Sequence, residues 1–249
     1  MDYTQIKVEE KDQVVWITLY RPDKLNALTP TMLSEWVHAL EATQGNENCK
    51  VIVVKGEGRA FSAGVDLSVF QETKVEPGFR MHEDGMRIME LLETLPVPTI
   101  AMVNGFCFTG AMELMMAFDL IYVADEAKIG DTHSKWGIPP KWGMTQRLQN
   151  VVGVRKAKEM SFTAQPILGK EAERIGLVNK SVPLAVLRET VNEVASKIVG
   201  NSSQAIKAIK EMYEHGNKYT LQEGIQFELD YEVEFTDKKD DLKNFKNKI

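Results

Sequence analysis

The feature that most constrains this chain is a succession of short, branched apolar runs, each closed by turn residues and followed by a helical pattern. "VVWITLY" (Val14 to Tyr20) stops at "RPDKLNAL", where Pro22 and Asn26 carry turn chemistry. "VIVVKG" (Val51 to Gly56) is apolar almost throughout, as a strand covered on both faces requires. "PTIAMVNG" (Pro98 to Gly105) and "DLIYVAD" repeat the theme. Thr29 is placed to cap a helix with Pro30 at its first position, and Leu33, Trp36, Val37 and Leu40 recur at helical spacing. Further helices are expected over Phe79 to Leu95 and from about Gly110 to Phe118. Strand, helix, strand in repetition predicts an α/β architecture over the first ~150 residues, with parallel pairing and right-handed crossovers.

Beyond Met144 the periodicity turns helical, through "MTQRLQNVVG", "RKAKEMSFT", "LAVLRETVNEVASKIV", "SQAIKAIKEMYEH" and "LQEGIQFELDYEVEF". Only "LVNKSV" interrupts as a strand candidate. The 249 residues fit one large domain, or one domain with a helical appendage, and no repeat or low-complexity linker separates the parts.

Charge and cysteine content narrow the function classes. The acidic, polar start "MDYTQIKVEEKDQ" lacks the order of a signal peptide, and no run of ~18 apolar residues follows, so neither export nor membrane spanning is expected. Cys49 and Cys107 have neither the number nor the spacing of a disulfide framework or zinc site, which fits a reducing, cytoplasmic setting. A net charge of -6 argues against nucleic-acid binding, and Glu211 and Glu214 dilute the lysines of "QAIKAIKEMYEHGNK". Any anion site must be a local cluster of positive side chains.

Two glycine turns follow strands, "FSAGVDL" and "NGFCFTGAMEL". Neither has the spacing of a dinucleotide fingerprint or the ending of a P-loop, and no cluster has metal-ligand spacing, so no metal is expected. Gly110, at a helix start, offers a backbone N–H with no intrahelical acceptor and no side chain to block a ligand, which suits an oxyanion donor. Glu113, one turn on, is either a general base beside the same substrate or a structural carboxylate, solvated or capping. His133 in "GDTHSKW" is either a proton-transfer group working near neutral pH or a loop histidine bonded to its neighbours. Asp131 either orients that ring, which favours the protonated form, or stays at the surface. His82 is the one serious rival among the other histidines. "AMELMMAFDL" reads as adaptable core packing.

With these residues in view the sequence resembles the crotonase superfamily, the enoyl-CoA hydratase/isomerase family. The resemblance rests on "RPDKLNAL", "AFSAGVDL", "PTIAMVNGFCFTGAMEL", "DLIYVADEAKIG", "GIPPKWGMTQRL" and "EAERIGLVNKSV" in that order. It implies an α/β fold, a crotonase-like spiral of ββα turns with a C-terminal helical trimerisation region, here divided as residues 1–190 and 191–249. It implies an acyl-CoA substrate with coenzyme A as part of that substrate, no prosthetic group, and a homotrimer or homohexamer. The thioester oxygen is expected at the backbone N–H groups of Val65 and Gly110. Lys24 matches a position that meets the CoA phosphates, Ala63 lies in the segment whose backbone meets the adenine, and Phe245 and Lys248 resemble terminal-helix residues that reach CoA across a subunit boundary. Hydratases of the family pair one glutamate, matching Glu113, with a second whose position falls here on His133. The expected activity is hydration or isomerisation of an enoyl-CoA by Glu113 and His133. A carbon-carbon bond hydrolase of the diketone type is the alternative, and acyl-pocket residues are expected between Phe70 and Leu95 and around Phe227 and Tyr231. A dehalogenase is excluded, because its aspartate near Lys141 is missing.

Overall fold

The structure, a computed structural model, describes residues 2–70, 78–233 and 236–237. The chain opens with a hairpin of β1 (Ile6–Lys11) and β2 (Val14–Leu19), turned at Asp12 and Gln13, both at positive φ. Two such residues in succession match the twist of the flanking strands. β2 is buried along its whole length, whereas β1 buries only Ile6, so the stretch read from sequence merely as polar is the edge strand of a sheet.

α1 (Pro30–Glu41) begins as expected, the Thr29 side chain accepting from the Met32 N–H, and it buries Leu33, Trp36 and Leu40. Three turns of similar plan follow. In the first, β3 (Val51–Gly56) and β4 (Ala60–Ser62) lead to α2 (Gly78–Thr94); in the second, β5 (Thr99–Val103) and β6 (Phe106–Phe108) lead to α3 (Gly110–Met115), shorter than expected. In the third, β7 (Leu120–Ala124) and β8 (Lys128–Gly130) lead to α4 (His133–Trp136), α5 (Met144–Val152) and α6 (Val154–Thr163). A short β9 (Ile167–Leu168), α7 (Gly169–Arg174) and β10 (Lys180–Val182) close the sheets.

Each turn feeds one strand to each of two sheets. The larger runs β1-β2-β3-β5-β7-β10, parallel from β2 onward, and the smaller runs β4-β6-β8-β9, parallel from β4 to β8. Because β3, β5, β7 and β4, β6, β8 keep the same order in both sheets, the chain advances as a spiral of ββα turns. The core lies in and behind the larger sheet, where Ile52, Val54, Ile100, Val103 and Val123 have no exposed surface. Each such side chain contributes roughly 1.5–3 kcal/mol through burial.

The C-terminal part is helical: α8 (Leu184–Gly200), α9 (Ser203–Gly216) and α10 (Leu221–Asp230), the last ending before the run of helical pattern does. α8 packs on β7, β5 and β3 and runs without a break past residue 190. α9 is fastened by Lys210, whose ammonium is buried and donates to the Leu92 and Val97 carbonyls and to Asp119 Oδ2 at 2.8 Å. Outward, α9 and α10 expose Ile209, Tyr213, Leu221 and Leu229. Among the described residues no helix is long and apolar enough to cross a membrane.

Glu35 pins the N-terminus to α1. Its carboxylate, 4% exposed, accepts the N–H groups of Thr4, Gln5 and Ile6 and the Thr4 hydroxyl. Burial alone would raise its pKa, but these donors together hold it below the usual glutamate value. A depressed native pKa contributes stability that is present above the unfolded-state pKa and is lost as pH falls through the native one. Glu35→Gln is therefore expected to cost about 1.5–3 kcal/mol at neutral pH and to make stability less sensitive to acid, measured by urea unfolding between neutral pH and acid.

Candidate active site

The smaller sheet gathers the sequence motifs, because its parallel strands point their C-terminal ends the same way and such ends are where ligands bind in open α/β sheets. β4 ends in Ala63, Gly64 and Val65; β6 ends in Thr109 and Gly110; β8 ends ahead of Asp131 and His133. The first two ends are pressed together. Gly64 has φ +93, and a Cβ there would lie 2.3 Å from Thr109 Oγ1, so neither the conformation nor the contact admits a side chain. Thr109 itself has φ 47, a strained value for a branched residue, held by its N–H bond to the Gly130 carbonyl.

Two backbone N–H groups emerge from this contact. Val65 forms an isolated parallel bridge with Leu28, in which the Leu28 N–H bonds Gly64 and the Asp66 N–H bonds Leu28. That pattern turns the Val65 N–H to the opposite side. Gly110 is the first residue of α3, where an N–H has no intrahelical acceptor. A Cβ on Gly110 would lie 3.3 Å from Val65 Cγ2, so the two donors are neighbours.

Glu113, one turn into α3, is 2% exposed. The solvated reading is thereby excluded. Its Oε1 accepts the N–H of Trp142 at 2.8 Å and of Met144 at 3.2 Å, Met144 being the first residue of α5. One oxygen thus caps α5 while the other, Oε2, lies 3.4 Å from His133 Nε2. The capping reading and the presence of a second group at the same carboxylate are both realised, on different oxygens.

His133 is buried at the start of α4, and Asp131 is 2% exposed rather than at the surface. His133 Nδ1 and Asp131 Oδ1 are 2.6 Å apart, and the same oxygen accepts the His133 backbone N–H at 3.1 Å. Burial works to lower the imidazole pKa, but the hydrogen bonds to Asp131 and Glu113 and the charges of both carboxylates overcome it and push it up to about 9. Burial likewise works to raise the Asp131 carboxyl, while bonds from His133 and the Ser161 hydroxyl hold it below its ordinary value. The ring is an imidazolium at neutral pH, with Nδ1 committed to Asp131 and Nε2 turned to Glu113.

The remaining candidates fall into three groups. Lys24 is exposed on the "RPDKLNAL" loop, and Ala63 joins that loop through its N–H bond to the Leu25 carbonyl, so these two share a rim with Val65. Asn26, fully buried, fixes the loop by accepting the Arg21 N–H and donating to the Glu57 and Ala60 carbonyls. Phe245 and Lys248 lie outside the described residues. Phe227 and Tyr231, expected near the acyl pocket, instead engage α9: Phe227 stacks on His215 at 4.0 Å, and the Tyr231 hydroxyl bonds Glu211. His82 lies on α2, and its Nδ1 is buried without a hydrogen-bond partner.

Sequence reasoning missed Trp142, Met144 and Ser161. The signal for Trp142 was available: a tryptophan between a Pro-Pro pair and Gly143, in a loop that is otherwise largely exposed. The backbone donors of Trp142 and Met144 leave no trace in residue identity. A cleft of about 930 Å³, lined by Met116, Phe118, Arg147 and Tyr213 among others, lies toward the opposite end of α3 and touches none of these groups. Among the described residues no set of three His, Cys, Asp or Glu side chains is arranged to hold a metal ion.

Taken together, the arrangement can bind an oxygen that becomes negative and move protons beside it. The family described as Enoyl-CoA hydratase/isomerase matches residues 9–248. The chain is 34% identical over 229 residues to the Short-chain-enoyl-CoA hydratase of Clostridium acetobutylicum, covering 92% of this chain and 88% of that protein. It is 34% identical to the Hydroxycinnamoyl-CoA hydratase-lyase of Pseudomonas fluorescens, covering 88% of this chain and 81% of that one. The crystal structure of an enoyl-CoA hydratase from Bacillus anthracis superposes with a TM-score of 0.87 at 34% identity, over 90% of this chain and 88% of that one. From the two interlocked sheets to the ordered motifs at their ends, the chain belongs to the enoyl-CoA hydratase/isomerase family, the crotonase superfamily.

Proposed function

We propose that this protein hydrates an enoyl-CoA thioester, with isomerisation as the narrower chemistry of the same site. The observation that carries the reading is the contact of a carboxylate and an imidazolium, Glu113 Oε2 to His133 Nε2, with Glu113 on the same short helix as Gly110, which neighbours Val65. Hydration needs one group to take a proton from water as its oxygen attacks the β-carbon, and another to deliver a proton to the α-carbon. Glu113 is the first and His133 the second. The Val65 and Gly110 N–H groups bond the thioester oxygen as it gains charge in the enolate, and the α3 N-terminus adds to the effect. After the addition Glu113 holds the proton from water and His133 has lost its own. Transfer from Oε2 to Nε2 restores both groups. An isomerase moves one proton between two carbons and needs only a single base, so a pair in opposite protonation states favours hydration.

CoA is the handle of the substrate in this reading, with Lys24 at its phosphates, the Ala63 backbone at its adenine, and Phe245 and Lys248 reaching it from a neighbouring subunit. The apolar side chains that α9 and α10 expose suit a homotrimer, or a hexamer of paired trimers, in the cytoplasm. The carbon-carbon hydrolase alternative is not favoured, since the relatives above are named as a hydratase and a hydratase-lyase of CoA thioesters, and neither as a diketone hydrolase.

Loss of the conjugated-thioester absorbance of crotonyl-CoA is the assay; no loss with crotonyl-CoA and a panel of longer enoyl-CoAs, with a diketone cleaved instead, would reverse the assignment. His133→Gln is expected to lower kcat by about 100- to 10,000-fold. In the unaltered enzyme kcat/KM should fall as pH rises through about 9, because the acid loses its proton there. A profile flat past that point removes His133 from the acid role. Gly110→Ala, whose Cβ would lie 2.8 Å from Trp142 Cζ3, should cost about 100- to 1,000-fold in kcat by displacing the oxyanion donor. Sedimentation equilibrium is expected to return three or six chains.

A further inference from the structure

Trp142 has a second feature beyond its backbone bond to Glu113. Its side chain is 4% exposed, yet the indole Nε1–H has no hydrogen-bond partner. A buried donor left alone forfeits its hydration without replacement, and native structures rarely tolerate it without a reason. The ring bridges two helices. Its Cζ3 would lie 2.8 Å from a Cβ on Gly110, so the benzene edge abuts the start of α3 beside Val65. Its Nε1 would lie 2.6 Å from a Cβ on Gly85, so the pyrrole edge abuts α2. The unpaired donor therefore sits one indole width from the proposed oxyanion amides. On the same face of α2, one turn before Gly85, stands His82, whose buried Nδ1 also lacks a partner.

We infer that Trp142 and His82 select an acyl group bearing a hydroxyl on its γ or δ carbon. This rests on the acyl-CoA reading above and names the substrate class within it. A hydroxyl is the group that answers both orphans, since its oxygen accepts from the indole N–H while the same group can donate to, or accept from, the imidazole Nδ1. A methyl there satisfies neither. A carboxylate accepts but cannot donate, and it meets a local surplus of negative charge, with Glu113 and Asp131 facing a single imidazolium. The distance along the chain fits as well. With the thioester oxygen at Gly110, the width of the indole carries the acyl chain past the α and β carbons before it reaches Nε1.

Saturated ligands separate this selectivity from turnover. The test is the ratio of dissociation constants for butyryl-CoA and 4-hydroxybutyryl-CoA, with valeryl-CoA and 5-hydroxyvaleryl-CoA as the longer pair, by calorimetry on the full chain. The hydroxylated member of one pair should bind at least about tenfold more tightly. Trp142→Phe keeps the ring and the backbone bond to Glu113 while removing the N–H, and should reduce that ratio by about tenfold. His82→Ala, at a half-buried position on α2, removes the other partner and should lower the ratio too. Because each ratio is taken within one protein, a general loss of CoA affinity cancels. Ratios near one in the unaltered protein, or ratios that neither substitution changes, overturn the inference. Failure to hydrate any enoyl-CoA, with the binding ratios as expected, would instead count against hydration and leave the hydroxyl subsite standing.

Discussion

Everything at the site hangs on one buried carboxylate. Glu113 has almost no contact with solvent, so donors inside the protein must compensate its polar atoms. Oε1 does this by taking two N–H groups from the loop that opens α5, and Oε2 by facing an imidazolium. Two turns of the spiral therefore meet at one side chain: α3 of the second carries it, while α4 of the third supplies its cationic neighbour and the start of α5 caps it. A network of this kind is cooperative in both directions. Fully satisfied it fixes the relative positions of its members, and with one donor withdrawn it leaves a polar group stranded in a low-dielectric interior.

The fold makes that meeting possible by splitting its labour between two sheets. The long strands of the larger sheet supply the burial that holds the molecule together. The short strands of the smaller one add Phe61, Cys107 and Ile129 to that core, and they bring three turns to the same place. Lys210 plays the matching part for the helical region. A buried ammonium bonded to two carbonyls and Asp119 is weak evidence of net stability, since desolvation offsets much of the attraction. It is better read as fixing where α9 sits, because no other placement satisfies its donors. It also takes this lysine out of the set of exposed charges on which nucleic-acid binding would draw.

What could be read from the sequence follows the same division. β2, β3, β5 and β7 were legible as branched apolar runs, and α1 was legible from Thr29, Pro30 and its periodic side chains. β4, β6 and β8, with three residues each, are too short for any period to register, although they place every candidate catalytic group. β1 was illegible because an edge strand with one buried residue looks like a charged tail. Glu113, His133, Val65 and Gly110 came from the glycine turns and from the family resemblance, and the structure brings all four together. The pairing of His133 with Asp131 was left open, because whether a side chain two residues away turns inward depends on the turn after β8. Trp142 went unread, for its part lies in a backbone N–H and in which helix its ring covers.

His133 is best understood together with Asp131. Two carboxylates facing one another in a buried site repel, and one of them must hold a proton to relieve the strain. An imidazole beside a single carboxylate would gain a partner but lose solvent. With Asp131 at Nδ1 and Glu113 at Nε2, the ring is charged from both sides and its one mobile proton is confined to the nitrogen that faces Glu113. Asp131 thus sets both the charge and the orientation of the ring. A glutamate placed at residue 133 would not recreate the two-carboxylate arrangement, since it would stand as a third acid between Asp131 and Glu113. The histidine and its aspartate form one device, and withdrawing the aspartate alone would leave the ring with a single carboxylate to charge it.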